Sequence, residues 1–211
     1  MHASYPLDMT MRNARDRYFV VNGFGKDGGY NDRWVEFKLG PMLLPFPNTA
    51  GRVAAVKFHD FHHVLTGYET DAAGEFEISA WEIGAGCTKS PAAFIINSGG
   101  MVAGAVSSPK RVLAAFVRGR RSRALYGEVF EPLLDKTVGE MRETYIRENE
   151  GTTARDVAAF ALFAMLGTVI GLAELALFLP VVPVGLVATW LRRRRASQAT
   201  HARPASSATS A

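Results

Sequence analysis

Three of the chain's five histidines, His59, His62 and His63, fall within one short run, with carboxylates nearby at Asp60, Glu75 and Glu82. On a helix, His59 and His63 are one turn apart on the same face, and Asp60, three residues before His63, leans into the same space. Gly67 breaks that helix and reverses the chain. Glu75 then opens a second helix with its carboxylate facing back, and Glu82 lies two turns further along the same face. Two imidazoles and one or two carboxylates make a shell for Zn²⁺ with a position left for water or substrate. Fe²⁺ or Mn²⁺ accept the same mixture of nitrogen and oxygen donors. No thiolate is involved, so an ion that binds or activates a substrate fits better than a purely structural one. His62 points about a quarter-turn from His63 and is read as a supporting or exposed residue, not a ligand. The competing reading is a helix face of solvated or hydrogen-bonded histidines, since His-x-x-x-His pairs arise by chance. Asp60 between the pair and Glu75 after a tight turn weigh against it.

The elements that must position these residues follow from their caps. Asn48 or Thr49 caps a helix running through GRVAAVKFHDFHHVL to Gly67. A loop over 68–73 leads to a second helix from about Gly74 to Ile83, ended by Gly84 and Gly86. Pro91 suits the first turn of a third helix, AAFIINSGGMVAGAV, apolar on all sides and therefore buried; the Gly99-Gly100 pair loosens it or admits a close neighbour. Ser108 and Pro109 open a fourth, KRVLAAFVRGRR, and Thr137 with Glu140 forms a capping-box pattern for a fifth. No run reads as a sustained alternating strand, so the fold class is all-α. Residues 1–48 read as an irregular lead-in, with prolines at 41, 45 and 47 keeping the chain extended. Its GFGKDGG run lacks the GK[ST] ending of a phosphate loop. The His-Asp pair also suits phosphohydrolases of the HD type, but these need a further upstream histidine, and the only one is His2.

The 211 residues divide by composition into that lead-in, a helical domain over 49–151, a membrane segment over 152–195 and a disordered tail over 196–211. Between Val157 and Leu191 the single charge is Glu174, and the apolar run exceeds the ~20 residues that cross a bilayer once. Two topologies compete: one span over Val157–Phe178, or a transmembrane or re-entrant hairpin turning near Glu174 to Pro183. Arg155 before the segment and Arg192 to Arg195 after it favour the hairpin, with both ends cytoplasmic. A buried pair of soluble helices is the third reading. Gly167 and Gly171 form a GxxxG step that permits helix association and a homo-oligomer. The excess of 24 Lys and Arg over 20 Asp and Glu is concentrated at Arg118–Arg123 and Arg192–Arg195. Beside apolar segments such clusters suit anionic headgroups or a plain solvated face, and no nucleic-acid-binding motif accompanies them. One cysteine, Cys87, allows no disulfide, and the N-terminus lacks the apolar core of a secretory signal, so the expected location is a membrane with the domain in the cytoplasm.

With these residues placed, the chain resembles the family of coenzyme Q biosynthesis protein four, ubiquinone-pathway proteins with a zinc motif. That motif reads HDxxH, eleven intervening residues, then Glu, and His59, Asp60, His63 and Glu75 fall on it without a gap. Gly67, Thr70 and Gly74 match as well, and Glu82 stands where the family often has a second glutamate. Arg118 to Arg142, RGRRSRALYGEVFEPLLDKTVGEMR, is similar to the family's arginine-rich block, with Phe130-Glu131 in place of Trp-Glu. The likeness covers roughly 50–145; the first 48 residues and the apolar C-terminal segment lie outside it, which implies a divergent, membrane-tethered relative. The resemblance implies an all-helical domain with a divalent metal, zinc first and iron or manganese next, on His59, Asp60, His63 and Glu75. Glu82 is then the acid–base or supporting candidate. It further implies metal-dependent decarboxylation and hydroxylation at C1 of a polyprenylated benzoquinone precursor, at a membrane and in company with other quinone-biosynthesis proteins. The alternative it leaves open is a lipid-binding scaffold that organises those enzymes.

Overall fold

The computed structural model describes residues 5–39, 42–148 and 151–179, with scattered positions up to 194. In chain order it contains α1 (Met11–Asn22), β1 (Trp34–Leu39), β2 (Met42–Pro47), α2 (Ala50–Thr66), α3 (Ala72–Ala85) and a 3₁₀ turn (Cys87–Lys89). These are followed by α4 (Pro91–Ser107), α5 (Pro109–Arg121), α6 (Phe130–Leu133), α7 (Val138–Tyr145) and α8 (Ala154–Phe178). Helix dominates, as the patterning implies. The chain forms two compact units, Met1–Arg33 with Asn48–Glu174, and Trp34–Pro47 with Leu175–Ala211.

The helices of the larger unit begin and end on local chemistry. Thr49 accepts from the Arg52 amide to start α2, and Gly67, at φ 78°, ends it by returning its N–H to the His63 carbonyl. Asp71 caps α3 by accepting from the Gly74 amide at 2.7 Å. Ser90 with Pro91 starts α4, and Thr137 with Glu140 completes the capping box of α7. α3 is the central helix. A Cβ on Gly84 would stand 2.3 Å from the Phe116 carbonyl oxygen, and one on Gly119 would stand 2.1 Å from that of Trp81. Only glycine lets α3 and α5 approach backbone to backbone there. Gly84 thus lies inside α3, which continues to Ala85, instead of ending it as the sequence implies. On the other side of α3, Gly100 and Gly104 of α4 meet Ser79 and Phe76, so the glycines of α4 serve close packing within one continuous helix. Phe61, Leu65, Ile78, Trp81, Met101, Phe116 and Leu125 are all sealed in the resulting core. Each such side chain contributes about 1.5–3 kcal/mol relative to exposure.

Residues 1–48 hold more structure than an irregular lead-in. Thr10 caps α1, whose Met11, Ala14, Tyr18 and Phe19 follow helical spacing and are buried against the domain. Four arginines and aspartates between them mask that stripe in a composition-based reading. β1 and β2 pair antiparallel, Trp34 opposite Pro47 and Leu39 opposite Met42. Prolines argue against a central strand, but in a two-stranded ribbon both strands are edges and tolerate a missing donor.

At the other end, Thr153 and Asp156 cap each other to start α8, and Arg120 and Arg121 of α5 pair with Asp156 at 3.0 and 3.2 Å. One side of α8 packs inward, with Phe160 and Phe163 against Phe116 and Gly167 against Ser98 and Val102. The other side leaves Leu162, Met165, Val169 and Leu172 exposed. Ala154–Ala173 is long and apolar enough to cross a membrane by length and composition, with only 11% of its apolar window buried. The second limb of the expected hairpin falls largely outside the described residues, and the tail over 196–211 falls wholly outside them.

Candidate metal centre

α2 and α3 lie side by side around the turn at Gly67, and this brings His59, His63 and Glu75 together. Their donor atoms all lie within 4.8 Å of one another. His63 Nδ1 is 2.9 Å from the Tyr68 carbonyl oxygen, which can only accept, so the hydrogen-bond network assigns the proton to Nδ1. His59 Nδ1 is 3.0 Å from Glu82 Oε1, again an acceptor. Both Nε2 atoms are therefore left to face each other, 3.1 Å apart, and the two Glu75 oxygens sit 3.5 Å from one each. Two bare nitrogen lone pairs repel at that distance. One proton on the Nε2···Nε2 axis satisfies the geometry, and so does a cation held by both nitrogens and Glu75. Tetrahedral donors about 2.0–2.1 Å from a zinc ion stand about 3.3–3.4 Å from each other. The observed separations of 3.1 and 3.5 Å straddle that value.

The electrostatics agree with a site for positive charge. Burial alone would raise the Glu75 pKa, but the His59 and His63 rings beside its carboxylate hold it well below the usual range. Burial disfavours a charged His59, yet Glu82 and Glu75 together raise its pKa well above the ordinary value. In the absence of a cation, that shift favours a proton on His59 Nε2, directed at His63 3.1 Å away. His63 itself is almost sealed, with its ring stacked on Tyr18 at 5.7 Å, whereas the Glu75 side chain is 42% exposed. A cleft of about 250 Å³ opens beside His63, lined among others by Tyr5, Tyr18, Asn22, Tyr68 and Thr70.

Asp60 and Glu82, the other two candidates, have different surroundings. Asp60 is buried and stands outside the group of three, its Oδ2 accepting from Tyr30 at 2.6 Å. Glu82 is fully enclosed. Its Oε1 accepts from His59 and from His62 at 2.7 Å, and its Oε2 accepts from the Tyr126 hydroxyl at 2.7 Å and from the Asn97 amide. His62 is buried too, with Nε2 accepting from the Leu125 amide at 2.9 Å, so neither ring nitrogen is free for a metal.

The arginine block fixes the helix that carries the histidines. Arg142 donates to the Leu65 and Val64 carbonyls at 2.9 Å each, and Arg118 donates to that of Thr66 at 3.0 Å. These are carbonyls of the last turn of α2, which have no partner within the helix. Guanidinium groups there also complement the negative end of the helix dipole. With Arg120 and Arg121 paired to Asp156 and Arg123 3.7 Å from Glu128, all four arginines assigned to headgroups or solvent hold partners inside the protein. Arg123 remains 62% exposed beside Tyr145.

Sequence reasoning missed Tyr18, Tyr30, Asn97 and Tyr126, which reach the site from α1, its following loop, α4 and the loop after α5. Only Asn97 carried a signal, as an amide in an otherwise apolar helix that must find a buried partner. Compared with protein-family models, curated proteins and solved structures, the chain gave no significant match.

Proposed function

We propose that this chain is a divergent, membrane-tethered relative of the coenzyme Q biosynthesis protein four family. In this reading it replaces the C1 carboxylate of a polyprenylated benzoquinone precursor by a hydroxyl. The net change takes the hydroxyl oxygen from water, releases carbon dioxide and passes two electrons and two protons to dioxygen, the co-reactant, which leaves as hydrogen peroxide. The observation that most supports a metal-dependent reaction is the pair of Nε2 atoms, their rings pinned through Nδ1 and gathered with Glu75 within 4.8 Å. His59, His63 and Glu75 would hold a divalent ion, zinc first, with Asp60 beside them on Tyr30. Such an ion supplies a Lewis acid that binds carboxylate and phenolate oxygens and stabilises negative charge on the ring. The chain's own groups do the rest: the cleft beside His63 admits the ring, and the Tyr18 and Tyr68 side chains flank it. A prenyl tail is insoluble in water. The exposed apolar sides of α4, with Ile95 and Ile96, and of α8 give it a lipid-facing path, and α8 anchors the domain at the membrane.

The test is complementation in a cell that lacks its own enzyme for this step, with His63→Ala and Glu75→Ala checked for folding by circular dichroism and for metal content. Both variants should fold, lose metal and fail to restore quinone. If they fold, lose metal and restore full quinone synthesis, the catalytic reading is lost and a scaffold role replaces it.

A further inference from the structure

We propose that Glu82 is a positioning residue, an enclosed carboxylate anion that pins the His59 ring with Nε2 toward His63 and Glu75. This rests on the reading of that cluster as a metal centre. It differs from the acid–base role that the sequence resemblance implies for Glu82, because the residue has no free valence for one. A carboxylate offers about four acceptor sites. Here His59 and His62 occupy Oε1 at 3.0 and 2.7 Å, and Tyr126 and Asn97 occupy Oε2. All four partners are donors, and a protonated acid would have to aim its O–H at one of them. The side chain has no exposed surface through which a substrate could reach it.

Three of the four donors serve to hold the carboxylate still. Asn97 comes from α4 and Tyr126 from the loop after α5. His62 is locked at both ends, since its Nδ1–H donates to Glu82 while its Nε2 accepts from the Leu125 amide. Its ring packs near Trp81 at 5.0 Å and Tyr126 at 5.2 Å, so it cannot turn. A fold retains an unexposed anion only when its partners compensate for lost water. The fourth donor, His59, is the one partner that also faces the cluster. The anion therefore acts outward through that ring, fixing its tautomer and orientation and raising the basicity of Nε2. A carboxylate behind a ligating imidazole typically changes metal affinity 10–100-fold.

Zinc competition titrations and histidine side-chain ¹⁵N NMR on the full chain in detergent micelles test this. In the wild type, His59 and His62 should show strongly hydrogen-bonded Nδ1–H signals with and without zinc. Zinc should shift His59 Nε2 and leave both His62 nitrogens in place. Glu82→Gln keeps the shape but removes the charge. It should weaken zinc binding about 10–100-fold and weaken the His59 Nδ1–H hydrogen bond, because an amide oxygen is a poorer acceptor than a carboxylate. Tyr126→Phe removes one donor and leaves the charge, so it should keep that hydrogen bond with less than about a tenfold loss in zinc affinity. The Tyr126→Phe and wild-type measurements decide the matter if Glu82→Gln does not fold. The proposal is overturned if folded Glu82→Gln binds zinc as the wild type does, if zinc shifts the His62 nitrogens, or if His59 binds through Nδ1. Failure of the wild type to bind any zinc would instead defeat the metal reading, and the His59 and His62 Nδ1–H signals would still decide the positioning geometry.

Discussion

Replacing Arg142 by leucine tests whether the arginine block exists to hold the histidine helix. The substitution keeps an apolar stem but deletes the Nε and Nη2 donors, each 2.9 Å from a carbonyl of the last turn of α2. Both carbonyls belong to residues in the core, Val64 and Leu65, with at most 1% exposure. Leaving a buried acceptor unpaired costs about 1–3 kcal/mol. Two acceptors at a half-buried site, partly reached by water, give an expected loss of about 2–4 kcal/mol. Against a domain stability of about 5–15 kcal/mol, that is a large fraction. Urea unfolding of the full chain in micelles, followed by tryptophan fluorescence, reads it: Trp81 is sealed, whereas Trp34 and Trp190 are at least half exposed, so Trp81 dominates the change. With a urea slope near 2 kcal/mol per molar, the midpoint should fall by about 1–2 M. Arg142→Lys should recover less than half of the loss, because one ammonium cannot match the fixed fork that spans both carbonyls. A midpoint shift below about 0.3 M, equivalent to about 0.6 kcal/mol, would refute the idea that these carbonyls depend on Arg142.

Three further outcomes follow from the same structure. Gly119→Ala should cost about 3 kcal/mol or more, or prevent folding, because the new methyl would collide with the Trp81 carbonyl and neither backbone can yield. Gly51→Ala, which meets nothing within 4 Å in α2, should instead gain up to about 1 kcal/mol in the same urea assay. In chelator, stability should fall as pH drops below about 4.5, the ordinary value for Glu75 and Glu82, because both carboxylates are held below it in the fold. Nearer neutrality two histidines act in opposite directions. His59, with a raised pKa, adds stability as pH falls, while His62, lowered by burial, removes it. Urea midpoints at pH 3, 5 and 7 check the order. Alkaline carbonate extraction should leave the full chain with the membrane fraction, and its release would reject a spanning α8.

What the sequence made legible is what depends on neighbours a few residues away. Thr49, Gly67 and Glu75 belong to one helix–turn–helix, and their chemistry requires only that the chain reverse where glycine permits it. The same holds for Pro91 and for the capping box at Thr137 and Glu140. Gly84 was misread because its purpose lies on another element: its missing side chain admits the Phe116 carbonyl of α5, and no local pattern contains that fact. α1 was obscured for a related reason. Its buried stripe is short, and arginines occupy the positions between. The environment of Glu82 could not be read at all, since Asn97 and Tyr126 lie 15 and 44 residues away in sequence and meet it only through tertiary packing. Spacing likewise placed Asp60 with the histidines, while its contact with Tyr30 depends on a loop 30 residues earlier.

The claim that His59, His63 and Glu75 hold a divalent ion is tested most directly by elemental analysis of the full chain, purified in detergent without a metal-binding tag. The account predicts close to one ion of zinc, iron or manganese per chain, and loss of that ion in His63→Ala and Glu75→Ala variants that still fold. A wild-type chain that stays far below one equivalent, even after anaerobic reconstitution with zinc and then with iron, would contradict it.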